Sequence, residues 1–180
     1  MIKISDQNSI LFEPVTQITY TADNNDNEKI KNQDSLEVEL LSSNFLIKNK
    51  YSGDDRNEVG LRLNYGLSIN FNGIDGSSNN LVLGRSYLDT KQDNFDYING
   101  FSKKNSDFVG NYTMSLPNEN QLYYDFRISE DFDLNRNRIK TALGLGESKI
   151  NINYIQIKNF ASRNNADTEQ ISYGLEKKFL

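Results

Sequence analysis

The residues of this chain whose types and spacing could do chemistry gather just ahead of one long alternating segment: Ser52-Gly53-Asp54-Asp55-Arg56, then Glu58, Gly60 and Arg62. Glycine at 53 supplies the positive φ of a tight turn, and Asp55 and Arg56 can form charge-assisted hydrogen bonds that hold a loop in place. Glu58 and Arg62 fall on one face of an extended strand, where they can join a charge network along a polar wall. A turn with a satisfied ion pair, followed by solvated wall residues, is the simpler reading of the same residues. Catalysis finds little else to use. Glu130-Asp131 is a carboxylate pair, but adjacent strand residues point to opposite faces, and these two sit beside a turn. Glu37, Glu39, Asp54 and Asp55 lack the spacing and glycine placement of a calcium-binding loop. The chain has no Cys and no His. Disulfides, thiol nucleophiles, Cys/His zinc sites and serine–histidine–aspartate triads are thereby excluded. No cofactor, no metal and no enzymatic activity are expected.

The element that positions these residues is the alternating segment itself. Over residues 56–72, Val59, Leu61, Leu63, Tyr65, Leu67, Ile69 and Phe71 point one way; Glu58, Gly60, Arg62, Asn64, Gly66, Ser68 and Asn70 point the other. Period two means a β-strand. Ordinary strands run to about ten residues at most. One apolar and one wet face, on a strand able to cross roughly 25 Å of hydrocarbon at a tilt, fit an outer-membrane barrel.

The rest of the chain repeats the pattern. Residues 9–21 read as a strand interrupted by Pro14, and Leu36, Val38 and Leu40 as a short second one. Residues 42–55 are less regular. A return strand carries Leu81, Leu83 and Tyr87, and residues 89–107 read as a long loop. Further strands carry Phe108 to Leu116, Leu122 to Ile128, Ile139 to Leu145 and Ile150 to Ile157, with a parity change at Ile155 that predicts a bulge. Ile171, Tyr173, Leu175 and Phe179 mark the last strand. Tyr20, Tyr65, Tyr87, Tyr112 and Tyr124 could form an interfacial girdle or simply pack against cross-strand neighbours.

Composition agrees with this class. Only 36% of the 180 residues are hydrophobic, which a barrel tolerates because lumen and loops are polar. No stretch approaches the roughly 18 apolar residues of a membrane helix. Ten Tyr, ten Phe and sustained alternation argue against disorder. The net charge of −5, with scattered Lys and Arg, argues against a nucleic-acid partner. Met1-Ile2-Lys3-Ile4-Ser5-Asp6 lacks the apolar core of a secretory signal, so either a signal lies upstream of this start or the membrane reading is wrong. The expected fold is all-β: an antiparallel up-and-down transmembrane β-barrel segment of about eight or nine strands, an incomplete barrel. A soluble sandwich or lipocalin-like barrel is the alternative, with its apolar face turned inward.

Lys50-Tyr51-Ser52-Gly53-Asp54-Asp55-Arg56-Asn57-Glu58-Val59-Gly60, continuing to Arg62 and Asn64-Tyr65-Gly66, resembles the signature of LptD, the lipopolysaccharide-assembly family of outer-membrane proteins also called organic solvent tolerance proteins. Ser52, Gly53, Asp55, Arg56, Gly60 and Arg62 match directly and Glu58 falls in place, while Lys50 stands for an Arg and Tyr51 for a Phe. Glu13-Pro14, Gln33-Asp34-Ser35, Leu83-Gly84-Arg85-Ser86-Tyr87, Ser106-Asp107-Phe108-Val109-Gly110 and Arg136-Asn137 are similar to further family elements in the family's order.

The resemblance implies that residues 1–180 are part of one outer-membrane β-barrel domain, a piece of a larger protein with a signal peptide, an N-terminal jellyroll and more strands. It implies insertion of lipopolysaccharide into the outer leaflet of the outer membrane, with the saccharide in the lumen and the acyl chains leaving through a seam between strands. The implied partners are lipopolysaccharide, outer-membrane lipid, an LptE-type lipoprotein plug and the periplasmic Lpt bridge. The cysteines that pair the two domains in many members have no counterpart here. A stand-alone small outer-membrane barrel with a structural or binding role is the alternative.

Overall fold

The computed structural model describes residues 2–3, 8–22, 36–52, 58–89, 99–101, 103–158 and 167–177, with the backbone alone at 2–3, 36–37 and 51–52. Its strands are β1 (Ile2–Lys3), β2 (Ser9–Thr21), β3 (Leu36–Glu37), β4 (Tyr51–Ser52), β5 (Gly60–Asn72), β6 (Ser78–Leu88), β7 (Phe108–Ser115), β8 (Gln121–Ile128), β9 (Leu134–Leu145), β10 (Ser148–Ile157) and β11 (Thr168–Lys177). Nine of them form one antiparallel sheet in the order β1-β2-β5-β6-β7-β8-β9-β10-β11, and β3 pairs β4 apart from it. Apart from the detour through β3 and β4, every long strand neighbours the next in sequence. Among the described residues β1 and β11 each pair on one side only, so the sheet is open: an incomplete barrel.

Turns of five, five and two residues join β5 to β6, β7 to β8 and β9 to β10 at one end; at the other end the β8–β9 connection also has five residues, and the longer connections β2–β5, β6–β7 and β10–β11 lie beside it. The β9–β10 turn is the tightest, two residues with Gly146 at a φ of 63°, a conformation glycine adopts without steric cost.

Three local expectations are corrected. The long strand begins at Gly60, not at residue 56. Gly60 has a φ of 91°, which breaks the extended path and leaves Glu58 and Val59 outside the ladder. The segment expected to form a strand around Leu36–Leu40 is extended only at Leu36–Glu37. Val38, Glu39 and Leu40 leave the strand because the chain turns inward there, onto the sheet. The bulge expected at Ile155 is absent: β10 pairs without a shift from Ser148 to Ile157 with both neighbours. Ile155 and Ile157 are simply apolar residues on the polar face. A register shift falls instead between Arg127 and Ile128 on β8, opposite Leu134 and Arg136 of β9. It lets the neighbours Asn135 and Arg136 both be buried.

The burial pattern is inverted relative to a soluble sheet. Leu61, Leu83 and Leu143 are 42%, 38% and 41% exposed, whereas Asn64 and Ser86 are 0% and Arg127 1%. These belong to interior strands, so the contrast is not an edge effect. A soluble β-sandwich buries its apolar face instead. The register places all five tyrosines of the expected girdle on the exposed apolar face. Tyr112 and Tyr124 are direct cross-strand partners there.

Candidate functional site: the inner wall and the segment folded onto it

The polar face is covered, at the end with the long connections, by the chain's own loops. Residues 38–50 turn onto it, held by backbone bonds from Asn44 and Phe45 to the Leu41 carbonyl. A second stretch, residues 99–107, joins them: the Leu40 amide donates to the Asn99 carbonyl at 3.0 Å. Leu40, Phe45, Phe101 and Val109 form a small apolar cluster between loops and wall. Hydrophobic burial thus ties the loops down on an otherwise polar surface.

The wall is built for that contact. Gly66 and Gly84 are register partners on β5 and β6, and the Phe45 ring fills the notch left by their missing side chains. Around the notch the wall is polar and paired. The Ser86 hydroxyl donates to Asn64 Oδ1 at 2.6 Å, and Asn64 Nδ2 donates to Gln17 Oε1 at 2.7 Å. The Ser86 amide donates to Ser106 Oγ at 2.9 Å.

Charges bind the loops as well. Arg127 Nη1 lies 3.2 Å from Glu39 Oε1 and Arg127 Nε 3.4 Å from Asp107 Oδ2. Arg136 Nη1 lies 2.5 Å from Glu39 Oε2 and Arg136 Nε 3.1 Å from Asp125 Oδ2. Asn135 Nδ2 donates to Asp107 at 3.0 Å. Two buried arginines therefore share one loop carboxylate. Burying such charges is tolerable only when each is paired and hydrogen-bonded.

Of the motif residues expected to matter, Glu58 and Arg62 are brought together as a buried ion pair. Arg62 also donates to the carbonyls of Ile47, at 2.8 Å, and Lys48. Gly60 supplies the kink between them. Ser52 lies in β4, described by its backbone alone, and Gly53, Asp55 and Arg56 fall outside the described residues. Lys50 is fully buried, with its ammonium on the carbonyls of Phe45 and Ile47 and 5.8 Å from the Phe101 ring centroid. Burial, aided by the nearby Arg62 charge, lowers its pKa to about 7.

Glu39, Asp107, Asp125, Arg127 and Arg136 were not singled out as site residues by the sequence. Asp107 and Arg136 lie in motif segments far apart in the chain, and only the register brings them to one place. Ser86 and Ser106 are joined in the same way.

On the outer face, one cation stands out. Arg85 donates from Nε to the Ser106 carbonyl at 2.8 Å, pairs with Glu130 and lies 4.2 Å from the Phe108 ring centroid. Burial raises the pKa of Glu130, but the hydrogen bond and charge of Arg85 outweigh it and hold the carboxyl below its usual range. Glu130 and Asp131, candidates for acid–base work by type, serve as counter-ions: Lys103 lies 3.6 Å and 3.8 Å from them.

An antiparallel sheet that exposes its apolar face and buries a charged face under its own loops is the wall of a transmembrane β-barrel. The family model for LPS transport system D, LptD, matches residues 4–176, and the chain belongs to the LptD family. A comparison with curated proteins gave no match. The family is an outer-membrane transport and assembly family rather than an enzyme family, and its role is lipopolysaccharide transport and assembly.

Proposed function

We propose that residues 1–180 are part of a single barrel domain that inserts lipopolysaccharide into the outer leaflet of the outer membrane. The observation that carries this reading is the inverted wall in a chain of the LptD family: polar inner residues such as Asn64 and Ser86 are buried while Leu61, Leu83 and Leu143 are exposed. Hydroxyl, amide and charged groups suit a saccharide passing along the inner face, and the apolar outer face suits lipid. The short turns then face the periplasm and the long connections the cell surface. The open edges at β1 and β11 call for further strands, since lipid cannot satisfy backbone donors and acceptors. An LptE-type plug and a periplasmic Lpt bridge would work with the complete protein. Glu58, Gly60 and Arg62 act here as structural residues that hold residues 47–48 against the wall, and a structural role is the reading for the motif as a whole.

A photo-crosslinking residue placed at Gln121 or Asn151, on the inner face, tests the function in cells making the full-length protein. The expected result is adducts with lipopolysaccharide that vanish when supply from the inner membrane is stopped. Adducts unchanged by that block, or none, would contradict the reading.

A further inference from the structure

We propose that Arg127 and Arg136 form a phosphate-binding subsite on the inner wall, and that Glu39 occupies it as an internal carboxylate until a phosphorylated glycolipid displaces it. The proposal rests on the reading that lipopolysaccharide passes along this face, and names the group by which it is held. The geometry points to it in three ways.

The two guanidinium groups converge on one carboxylate, each taking a different oxygen: Arg127 Nη1 to Oε1 at 3.2 Å and Arg136 Nη1 to Oε2 at 2.5 Å. The Arg136 contact is a hydrogen bond and the Arg127 contact a close ion pair, so two fixed cations face one anion, as in sites where arginines hold phosphate oxygens. Each guanidinium also has a second carboxylate besides Glu39: Arg136 Nε hydrogen-bonds Asp125 Oδ2 at 3.1 Å, and Arg127 Nε lies 3.4 Å from Asp107 Oδ2 as an ion pair. The pair therefore keeps its shape when Glu39 leaves, as a preformed anion site should.

The acid sits on the accessible side. The Arg127 side chain is 1% exposed and that of Arg136 7%, but the Glu39 side chain is 25% exposed. Glu39 Oε1 itself is buried against Arg127, so a competing anion reaches the arginines as the carboxylate swings out, without movement of the wall.

Charge favours exchange. A carboxylate carries one negative charge and a phosphate monoester about 1.5 to 2. Asp107 and Asp125 balance the two arginines once Glu39 leaves, and Arg138 and Lys140, which continue along the inner face of β9 beyond Arg136, supply the positive charge beyond that balance. Glu39 lies just ahead of the turn at residues 42–46, where its carbonyl accepts a bond from Asn44 Nδ2 at 2.7 Å. Displacing its side chain would loosen the segment of residues 38–50 and open the lumen mouth, coupling arrival of the lipid to opening.

The test uses the full-length protein in detergent, with Ser43→Cys on the exposed tip of the segment carrying an environment-sensitive fluorophore. Three probes are titrated: lipopolysaccharide, the same lipopolysaccharide stripped of phosphate, and inorganic phosphate. Lipopolysaccharide is expected to shift the fluorescence. Glu39→Gln should lower the half-saturating concentration about tenfold, equivalent to one charge-assisted hydrogen bond. Arg136→Lys, which keeps the charge but loses the planar fork, should raise it. Dephosphorylated lipid should have little effect, and inorganic phosphate should compete. A Glu39→Gln response within about twofold of wild type, or equal responses to lipid with and without phosphate, would overturn the proposal. If inner-face crosslinks to lipopolysaccharide persist while these arms fail, the subsite alone is wrong. Competition by inorganic phosphate alone, without a response to lipopolysaccharide, would sustain an anion site but overturn displacement by glycolipid.

Discussion

The ring of Phe45 stands directly on Gly84: a Cβ added at that glycine would meet three ring carbons at 2.7 to 2.9 Å. A Cβ at its register partner Gly66 would come within 3.2 Å of the same ring and 2.4 Å of the Leu83 carbonyl. The two glycines are thus a socket for a loop residue. Gly84→Ala should weaken docking of residues 38–50 by about 1–3 kcal/mol, the usual cost of overpacking. Phe45→Ala should also undock them, and the double variant should cost less than the sum, since both act on one contact. Hydrogen exchange of the amides of residues 40–50 checks both.

A second prediction concerns Glu58 and Arg62, paired beneath the loop and both nearly inaccessible. Removing one partner leaves the other charge buried, at a cost of about 3–5 kcal/mol. Glu58→Gln and Arg62→Met should each increase protease cleavage between β2 and β5. The double variant should be closer to wild type than Arg62→Met alone.

The burial of Lys50 gives a pH dependence. Its pKa is about 7 when docked, against the ordinary 10.5 when the segment is free. Between these values the free form binds the extra proton, so docking releases one and is favoured as pH rises. Below about pH 7 the ammonium is kept in both states and the burial penalty is paid in full. A fluorophore at Ser43→Cys should show docking strengthening from pH 7 towards 10.5. Lys50→Met should flatten that slope.

Much of this wall is legible in the residues alone. Alternation marks β2 and β5 to β11 within a few positions, because one face had to be apolar and the other wet. The segment at 38–50 is not legible as an inward fold. Leu40 reads as a strand residue and Phe45 falls in an irregular stretch, and neither shows its place until the notch at Gly66 and Gly84 is known; that notch exists only once β5 and β6 are in register. The shift at Arg127/Ile128 leaves no periodic trace, because Asn135 and Arg136 are both polar and read equally well in either parity. Ile155 sent the opposite message: apolar on the inner face, it imitates a bulge where the ladder is continuous.

The two faces should differ in what they tolerate. Leu83→Arg, on the outer face, should cost about 2–4 kcal/mol if it lies at mid-bilayer, and Ser68→Arg, on the inner face, much less. Denaturant-dependent folding of the full-length protein into lipid vesicles measures the difference. In a soluble sheet an exposed Leu83→Arg would lie within about 0.5 kcal/mol of neutral.

The central claim is that β5 crosses a bilayer with its odd-numbered face to lipid and its even-numbered face to an aqueous lumen. Single cysteines at Leu63, Leu67, Ser68, Ile69 and Asn70 of the full-length protein in liposomes test it directly. The account predicts that fluorophores at 63, 67 and 69 are quenched by nitroxide-labelled lipid, while thiols at 68 and 70, outside the part of the wall that the loops cover, react with a water-soluble reagent instead. No alternation, or lipid quenching at 68 and 70, would contradict it.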